Sequence, residues 1–82
     1  MVILYVIEGE QTRKRYVGIT SDLQRRLSEH RSGSSHSGNL IGPPFTLIHT
    51  EIFQDYTAAR QREKFLKSGQ GREWLAQRIA RS

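Results

Sequence analysis

The feature that most constrains the fold is the continuous apolar run VILYVI at residues 2–7. Its side chains are β-branched, aromatic or leucine, and no polar residue alternates with them. A strand that is apolar on both faces has to be covered on both faces. We therefore predict that this strand lies in the middle of a small sheet, with other elements above and below it.

Two further apolar stretches predict the rest of the sheet. YVGIT at residues 16–20 follows a polar connection with a basic tip at residues 13–15, which indicates a hairpin. FTLIHTEIF at residues 45–53 predicts a third strand. Strict alternation would place Ile48 and Ile52 on one face of that strand and the following residues on the other: Phe45, Leu47, His49, Glu51 and Phe53.

The first helix is predicted after the hairpin. Ser21 is a suitable N-cap, and Asp22 adds negative charge to the first turn of a helix that runs to about Arg31. The glycine- and serine-rich segment at residues 32–44 that follows is predicted to be a mobile loop.

Two more helices are predicted near the end of the chain. Asp55 is a suitable N-cap for a helix over residues 56–67, and Gly69 and Gly71 are expected to stop it. Residues 72–82 predict a short amphipathic helix. Its packing side is expected to carry Trp74, Leu75 and Ile79.

The element order is therefore β-β-α-β-α-α in one domain over residues 1–82. Three antiparallel strands flanked by helices make this a small α+β fold of the broader α/β type. We find no internal repeat and no linker long enough to divide the chain.

The amino-acid composition limits the kinds of partner that the chain is expected to bind. The chain has 13 Lys and Arg against 8 Asp and Glu, a net charge of +5, which favours nucleic acid and, less often, an anionic membrane surface. The absence of cysteine excludes a disulfide framework and a thiolate zinc site. The opening apolar run is too short to span a bilayer and lacks the basic start of a signal peptide. We expect a cytoplasmic protein that does not bind membranes.

Polar residues occupy the apolar sides of two predicted helices. At about 100° per residue, Arg26 and His30 lie within or beside the stripe formed by Leu23 and Leu27. Glu63 lies within the apolar arc of the second helix. A desolvated charge needs a partner, and for Glu63 the candidates are Arg26, a water network or a metal ion. The alternative that Arg26 and Glu63 form a purely structural ion pair stays open.

These polar residues coincide with motifs of the GIY-YIG nuclease superfamily, which the chain resembles over nearly its whole length. The segment YVGITSDLQRRLSEH, residues 16–30, is similar to the YIG strand and the helix after it, with Arg26 ten residues after the tyrosine. The segment AARQREKFLKSGQGREWL, residues 58–75, is similar to a later helix whose glutamate is Glu63. Of the first family motif, ILYVI keeps only Tyr5.

The resemblance implies a metal-dependent endonuclease that hydrolyses DNA. Glu63 would hold one Mg²⁺ or Mn²⁺, and Arg26 would bind the scissile phosphate and offset charge in the transition state. Tyr16 would deprotonate or position the attacking water, with help from a nearby cation or from His30. Tyr5 would orient these groups through hydrogen bonds.

Further residues are candidates for contact with the substrate. Gly18 would let the substrate backbone approach closely. Basic residues expected to contact phosphates are Arg13, Lys14 and Arg15 in the hairpin and Arg25 and Arg31 on the first helix.

The substrate is left open by the sequence. The resemblance implies DNA, including branched or damaged DNA, and hence a role in repair or recombination. The chain shows no base-reading helix, zinc finger or second module, so DNA structure or a protein partner would supply specificity. The alternatives are a non-catalytic nucleic-acid-binding module on the same fold and a structural domain in which Arg26 and Glu63 pair.

Overall fold

The computed structural model describes residues 1–32 and 44–80 and confirms the predicted α+β fold. The strands form one antiparallel sheet in the order β2-β1-β3. None of the helices in these two ranges combines the length and the apolar character needed to cross a membrane. Of the loop predicted at residues 32–44, residues 33–43 lie outside the described residues. The elements are β1 (Val2–Gly9), β2 (Arg15–Thr20), α1 (Leu23–Ser32), β3 (Phe45–Phe53), α2 (Tyr56–Lys67) and α3 (Gly69–Ala80).

β1 is the central strand, as its apolar run predicts. Leu4 and Val6 are fully buried on the face that α2 and α3 cover. Tyr5 and Ile7 are equally buried on the opposite face, which α1 covers. Each fully buried large apolar side chain stabilises the fold by roughly 1.5–3 kcal/mol, so this one strand anchors both layers.

α1 begins at a different cap from the predicted one. Asp22, not Ser21, is the N-cap: its Oδ1 accepts the backbone N–H of Arg25 at 3.1 Å, and its carbonyl accepts the N–H of Arg26 at 3.1 Å. The hydroxyl oxygen of Thr20 accepts the N–H of Asp22 at 3.1 Å and so ties the end of β2 to the helix. Ser and Asp are equally good caps, which is why the residue types could not decide between them.

α2 ends at Lys67, as predicted, but the prediction that Gly69 and Gly71 stop it was wrong, because Ser68 is the C-cap and both glycines belong to the first turn of α3. Ser68 serves both helices: its N–H donates to the carbonyl of Phe65 at 3.0 Å, and its hydroxyl oxygen accepts the N–H of Gly71 at 3.2 Å. A Cβ at Gly71 would collide with the backbone of Phe65. Glycine at this position therefore permits the tight packing of α2 on α3 rather than a break.

A β-bulge at Ile48 changes which residues of β3 share a face. The pairing with β1 steps from Val6 opposite His49 to Ile7 opposite Leu47, so Ile48 is the extra residue. Residues directly opposite each other share a face, and strict alternation along β3 was therefore a wrong prediction. The α2 and α3 face carries Ile48, His49, Glu51 and Phe53, whereas the α1 face carries Phe45, Leu47 and Ile52.

A polar cluster that the sequence did not predict ties β3 to α2 and α3. Glu51 accepts two hydrogen bonds from Arg62, at 2.9 and 3.2 Å, and lies 2.7 Å from Nε2 of His49. Arg62 lies 4.5 Å from the ring centre of Trp74, and the ring of His49 lies 5.8 Å from it. The available signal was the presence of two polar residues on the buried face of a strand.

Replacement of Glu51 should weaken the fold at neutral pH more than in acid. Burial raises the pKa of Glu51, but the hydrogen bonds from Arg62 and His49 outweigh that effect and hold the pKa below its ordinary value of 4.5. Such a carboxyl stabilises the protein above its unfolded pKa, and this contribution is lost as the pH falls through the folded pKa. Glu51→Gln should lower the free energy of unfolding by about 1–2 kcal/mol at pH 7 and by less at pH 4.

Urea unfolding at the two pH values measures this difference. The exposed Glu73 on α3 offers a matched control, and Glu73→Gln should leave both free energies close to the wild-type values. Equal losses for Glu51→Gln at pH 7 and pH 4 would contradict the account of the cluster.

Candidate active site

Tyr5, Tyr16 and His30 form a cluster on the α1 face of the sheet. The pairing of β1 with β2 places Tyr5 opposite Gly18 and Tyr16 opposite Ile7. The Tyr5 hydroxyl lies 3.0 Å from Nε2 of His30, and the ring centres of Tyr16 and His30 are 5.2 Å apart. Tyr5 and His30 are buried, and Tyr16 is half-buried. The structure thus brings together three of the five residues predicted to be catalytic.

Burial sets the protonation of this cluster. Burial, together with the neighbouring Tyr16, raises the pKa of Tyr5 well above the ordinary value of a tyrosine, so Tyr5 keeps its proton at neutral pH. Burial and the nearby Arg26 guanidinium lower the pKa of His30, so this imidazole is neutral at pH 7. A neutral imidazole has one nitrogen that can accept a proton.

Gly18 makes room for Tyr5. A Cβ at this position would lie 2.6 Å from the Tyr5 hydroxyl oxygen and 2.9 Å from Cε1 of Tyr16, closer than real atoms approach. The space beside Gly18 that was predicted to admit substrate backbone is therefore filled by Tyr5. Contact between Gly18 and a substrate stays a prediction.

Arg26 and Glu63 line one cleft of about 580 Å³, which lies between α1, α2 and the end of β2. Each has an ionic partner on its own helix: Arg26 lies 3.3 Å from Glu29, and Glu63 lies 3.4 Å from Lys67. Within residues 1–32 and 44–80, Arg26 and Glu63 form no ion pair with each other. The structural alternative, in which these two residues pair, was therefore wrong.

The cleft lies close to the cluster of Tyr5, Tyr16 and His30. Besides burial, the pKa of Tyr5 responds to the charges of Arg26, which lowers it, and Glu63, which raises it. Arg26 lies one helical turn before His30 on α1, and Ile19 of the cleft directly follows Gly18, the residue paired with Tyr5. Tyr16 does not line this cleft but a second one of about 280 Å³.

Tyr56 and Arg60, which the sequence did not single out, also line the cleft. With Glu63 they occupy positions i, i+4 and i+7, which share one face of a helix. That spacing was the signal that could have found them. Arg60 has no acidic partner among the described residues, and its guanidinium lies 5.9 Å from the ring centre of Tyr56.

The residues predicted to contact phosphates are spread around the domain. Of the residues predicted to contact phosphates, Arg25 is the one that lines the cleft of Arg26 and Glu63. In the hairpin, Glu8 holds Arg15 at 2.8 Å and Arg13 at 3.3 Å. Contact with phosphate stays a prediction for these three arginines, and also for Lys14 and Arg31.

The cleft suits a divalent metal held by a single carboxylate. Within residues 1–32 and 44–80, no group of three or more His, Cys, Asp or Glu residues could hold a metal. Mg²⁺ does not need such a group, because it binds through one or two carboxylates and fills its other positions with water and phosphate oxygens. The Glu63 side chain is 22% exposed in a cleft with space for both. The donor set therefore fits Mg²⁺ or Mn²⁺ bound through Glu63.

Comparison with known sequences decides the family. The profile of the GIY-YIG catalytic domain matches residues 1–76. The chain belongs to the GIY-YIG family. This match confirms the family predicted from the sequence.

Small relatives of this GIY-YIG domain come from archaea and bacteria. A UPF0213 protein of Halobacterium salinarum is 39% identical over 64 residues, which is 78% of this chain and 82% of the relative. A UPF0213 protein of Natronomonas pharaonis is 40% identical over 53 residues, and the match spans 65% of this chain but only 62% of that relative.

A solved structure shows the same fold. The solution NMR structure of a UPF0213 protein from Bacillus halodurans superposes with a TM-score of 0.57 at 29% identity. The match covers 94% of this chain and 84% of that protein. The names of these relatives state no reaction, so the activity of the GIY-YIG domain has to be argued from its site.

Proposed function

We propose that this GIY-YIG domain is a divalent-metal-dependent endonuclease that hydrolyses phosphodiester bonds in DNA. The observation that supports it most strongly is the common cleft of Arg26 and Glu63. A cation suited to phosphate and a carboxylate suited to a metal lie in one cleft, and neither neutralises the other.

Arg26 is the residue proposed to hold the scissile phosphate. Its planar guanidinium can donate two parallel hydrogen bonds to phosphate oxygens, and it offsets the charge that develops on them in the transition state. Arg25 and Arg60 on the cleft walls would bind neighbouring phosphates and fix the position of the strand. A metal ion bound to Glu63 would supply Lewis-acid polarisation of a phosphate oxygen.

The cluster of Tyr5, Tyr16 and His30 beside the cleft is proposed to position the attacking water and to accept its proton. Tyr16 would position that water or accept its proton, and a tyrosine needs a nearby cation or base for the second task, because only the phenolate form is a good base. His30 packs against Tyr16 and is neutral, and in the tautomer whose Nε2–H donates to the Tyr5 oxygen, its other ring nitrogen would supply the base. Tyr5 keeps its proton and holds His30 through their hydrogen bond.

A non-catalytic DNA-binding module on the same fold is the second candidate. One observation favours it: Tyr16 lines the second cleft and not the one that holds Arg26 and Glu63. Against it stands Glu63, because a carboxylate beside a phosphate weakens binding unless a cation lies between them.

Purified protein should separate the two candidates on a panel of labelled DNAs. The panel contains plain duplex, nicked duplex, single strand and a branched junction, each with Mg²⁺, Mn²⁺ or EDTA. We expect cleavage with either metal and none in EDTA, and faster cleavage of the branched or nicked DNA would support a role in repair or recombination. Binding to every DNA without cleavage of any would favour the binding module or a requirement for a protein partner.

A further inference from the structure

The second cleft is a basic hollow next to the candidate active site. It opens where the start of β2 meets the junction of α2 and α3, and its volume is about 280 Å³. Arg15, Lys67 and Arg72 line it, and no acidic residue among those described lines it with them. Its floor is apolar and consists of Val17, Leu66 and Leu75. A hollow with one sign of charge above a low-dielectric floor attracts and concentrates ions of the opposite sign.

The three cations retain most of their capacity to bind an anion. Arg72 has no acidic partner among the described residues. Arg15 is held by Glu8 through Nε alone, at 2.8 Å, and Lys67 lies 3.4 Å from Glu63. The Lys67 side chain is 53% exposed and its pair lies within one helix, so that pair contributes little free energy. Arg15 keeps the terminal nitrogens of its guanidinium for a phosphate, because its bond to Glu8 uses Nε.

The position of Arg72 near the start of α3 also favours a bound anion. Arg72 lies near the start of α3, and its backbone N–H closes the first turn on the carbonyl of Ser68 at 2.9 Å. The start of a helix carries partial positive charge, which disfavours a cation there and favours an anion. Two further cations in the same hollow increase the repulsion, and a bound anion would relieve it.

β2 connects this hollow to the candidate active site. Arg15 and Tyr16 line the hollow, whereas Ile19 and Thr20 line the cleft of Arg26. Four residues along a strand span ~13 Å. One strand of B-form DNA advances about 3.4 Å per nucleotide, so this span corresponds to about four nucleotides. β2 is an edge strand, and a polynucleotide can therefore follow its outer side from one cleft to the other.

We propose that the cleft of Arg15, Lys67 and Arg72 binds a backbone phosphate of DNA about four nucleotides from the phosphate held by Arg26. The position of this second phosphate relative to the cut rests on the proposed function. The binding itself does not, because it depends only on the charges and shape of the cleft.

The salt dependence of DNA binding tests the proposal without any cleavage. Binding of a labelled duplex is measured in EDTA between 50 and 200 mM salt, where each phosphate contact contributes a slope of about −0.9 in log K against log salt. Arg72→Gln should reduce the magnitude of the slope by about 0.9 and weaken binding several-fold. Lys64→Gln is the matched control, because Lys64 is an exposed residue of α2 that lines neither cleft, and its slope should stay that of the wild type.

A duplex with one neutral methylphosphonate tests the position. When the substitution lies three to five nucleotides from the mapped cut, wild type should lose as much affinity as Arg72→Gln loses on normal DNA, and the two changes together should lose no more. An unchanged slope for Arg72→Gln, equal losses for Lys64→Gln, or no binding by the wild type would overturn the proposal. Wild type that binds with the expected slope but cuts no DNA would instead refute the proposed function and leave the phosphate cleft standing.

Discussion

Arg26→Ala should slow single-turnover DNA cleavage by about 100- to 1000-fold while the protein stays folded. The expected magnitude is that of removing one preorganised charged donor from a developing oxyanion. Among the described residues, the ion pair that the change breaks joins Arg26 to Glu29 on the same helix, at 3.3 Å, and the arginine side chain is 43% exposed. A surface pair of this kind contributes less than about 1 kcal/mol. DNA binding should weaken as well, because a phosphate contact is lost.

Arg25→Ala is the matched comparison for this prediction. Arg25 precedes Arg26 on α1, lines the same cleft and pairs with the same glutamate at 3.5 Å. The Arg25 side chain, however, is 78% exposed against 43% for Arg26, and it is Arg26 that lies one helical turn before the buried His30. Arg25→Ala should therefore raise KM and leave kcat nearly unchanged. Equal losses of kcat in the two variants would remove the special role of Arg26.

Glu63→Gln should give a folded protein that binds DNA and no longer cuts it. The amide keeps the shape of the carboxylate but is a poor ligand for Mg²⁺, which prefers charged oxygen. In the part of the chain that the structure describes, the folded state loses the pair with Lys67, four residues along α2, and such pairs contribute about 0.3–0.5 kcal/mol. Binding should survive or tighten, because a negative charge beside the phosphate has been removed.

Thermal unfolding and DNA binding in EDTA provide the controls for Glu63→Gln. A large loss of stability would show that Glu63 is a buried structural partner, which its position in an open cleft argues against. Glu73→Gln on α3 removes the same charge from an exposed position and should cut DNA at the wild-type rate.

The sequence predicts the framework because few arrangements can bury an apolar run such as VILYVI. Once that strand is central and paired with YVGIT, Tyr5 and Tyr16 must lie on neighbouring strands. The helical positions of Arg26 and Glu63 then turn both toward the same cleft. Both placements follow from strand pairing and helical periodicity, and the structure has Arg26 and Glu63 lining one cleft.

The sequence could not predict which ion-pair partners form, where β3 has its bulge or which cleft Tyr16 lines, because several local arrangements have similar energies. Arg26 and Glu63 each found a partner three or four residues away on their own helix, and such contacts cost little conformational entropy to form. The bulge at Ile48 leaves no trace in a pattern of apolar residues. For the same reason the sequence did not place Tyr16 at the wall of a second cleft, since strand alternation fixes a face but not the depth of the surface around it.

The dependence of cleavage on Mg²⁺ tests the central claim most directly. Wild type and Glu63→Gln are purified in parallel, and the single-turnover rate on the best DNA of the panel is measured across a series of Mg²⁺ concentrations. The account predicts a wild-type rate that rises with Mg²⁺ and saturates, and a Glu63→Gln rate that stays at the EDTA background throughout. A Glu63→Gln protein that cuts DNA with the Mg²⁺ dependence of the wild type would contradict it.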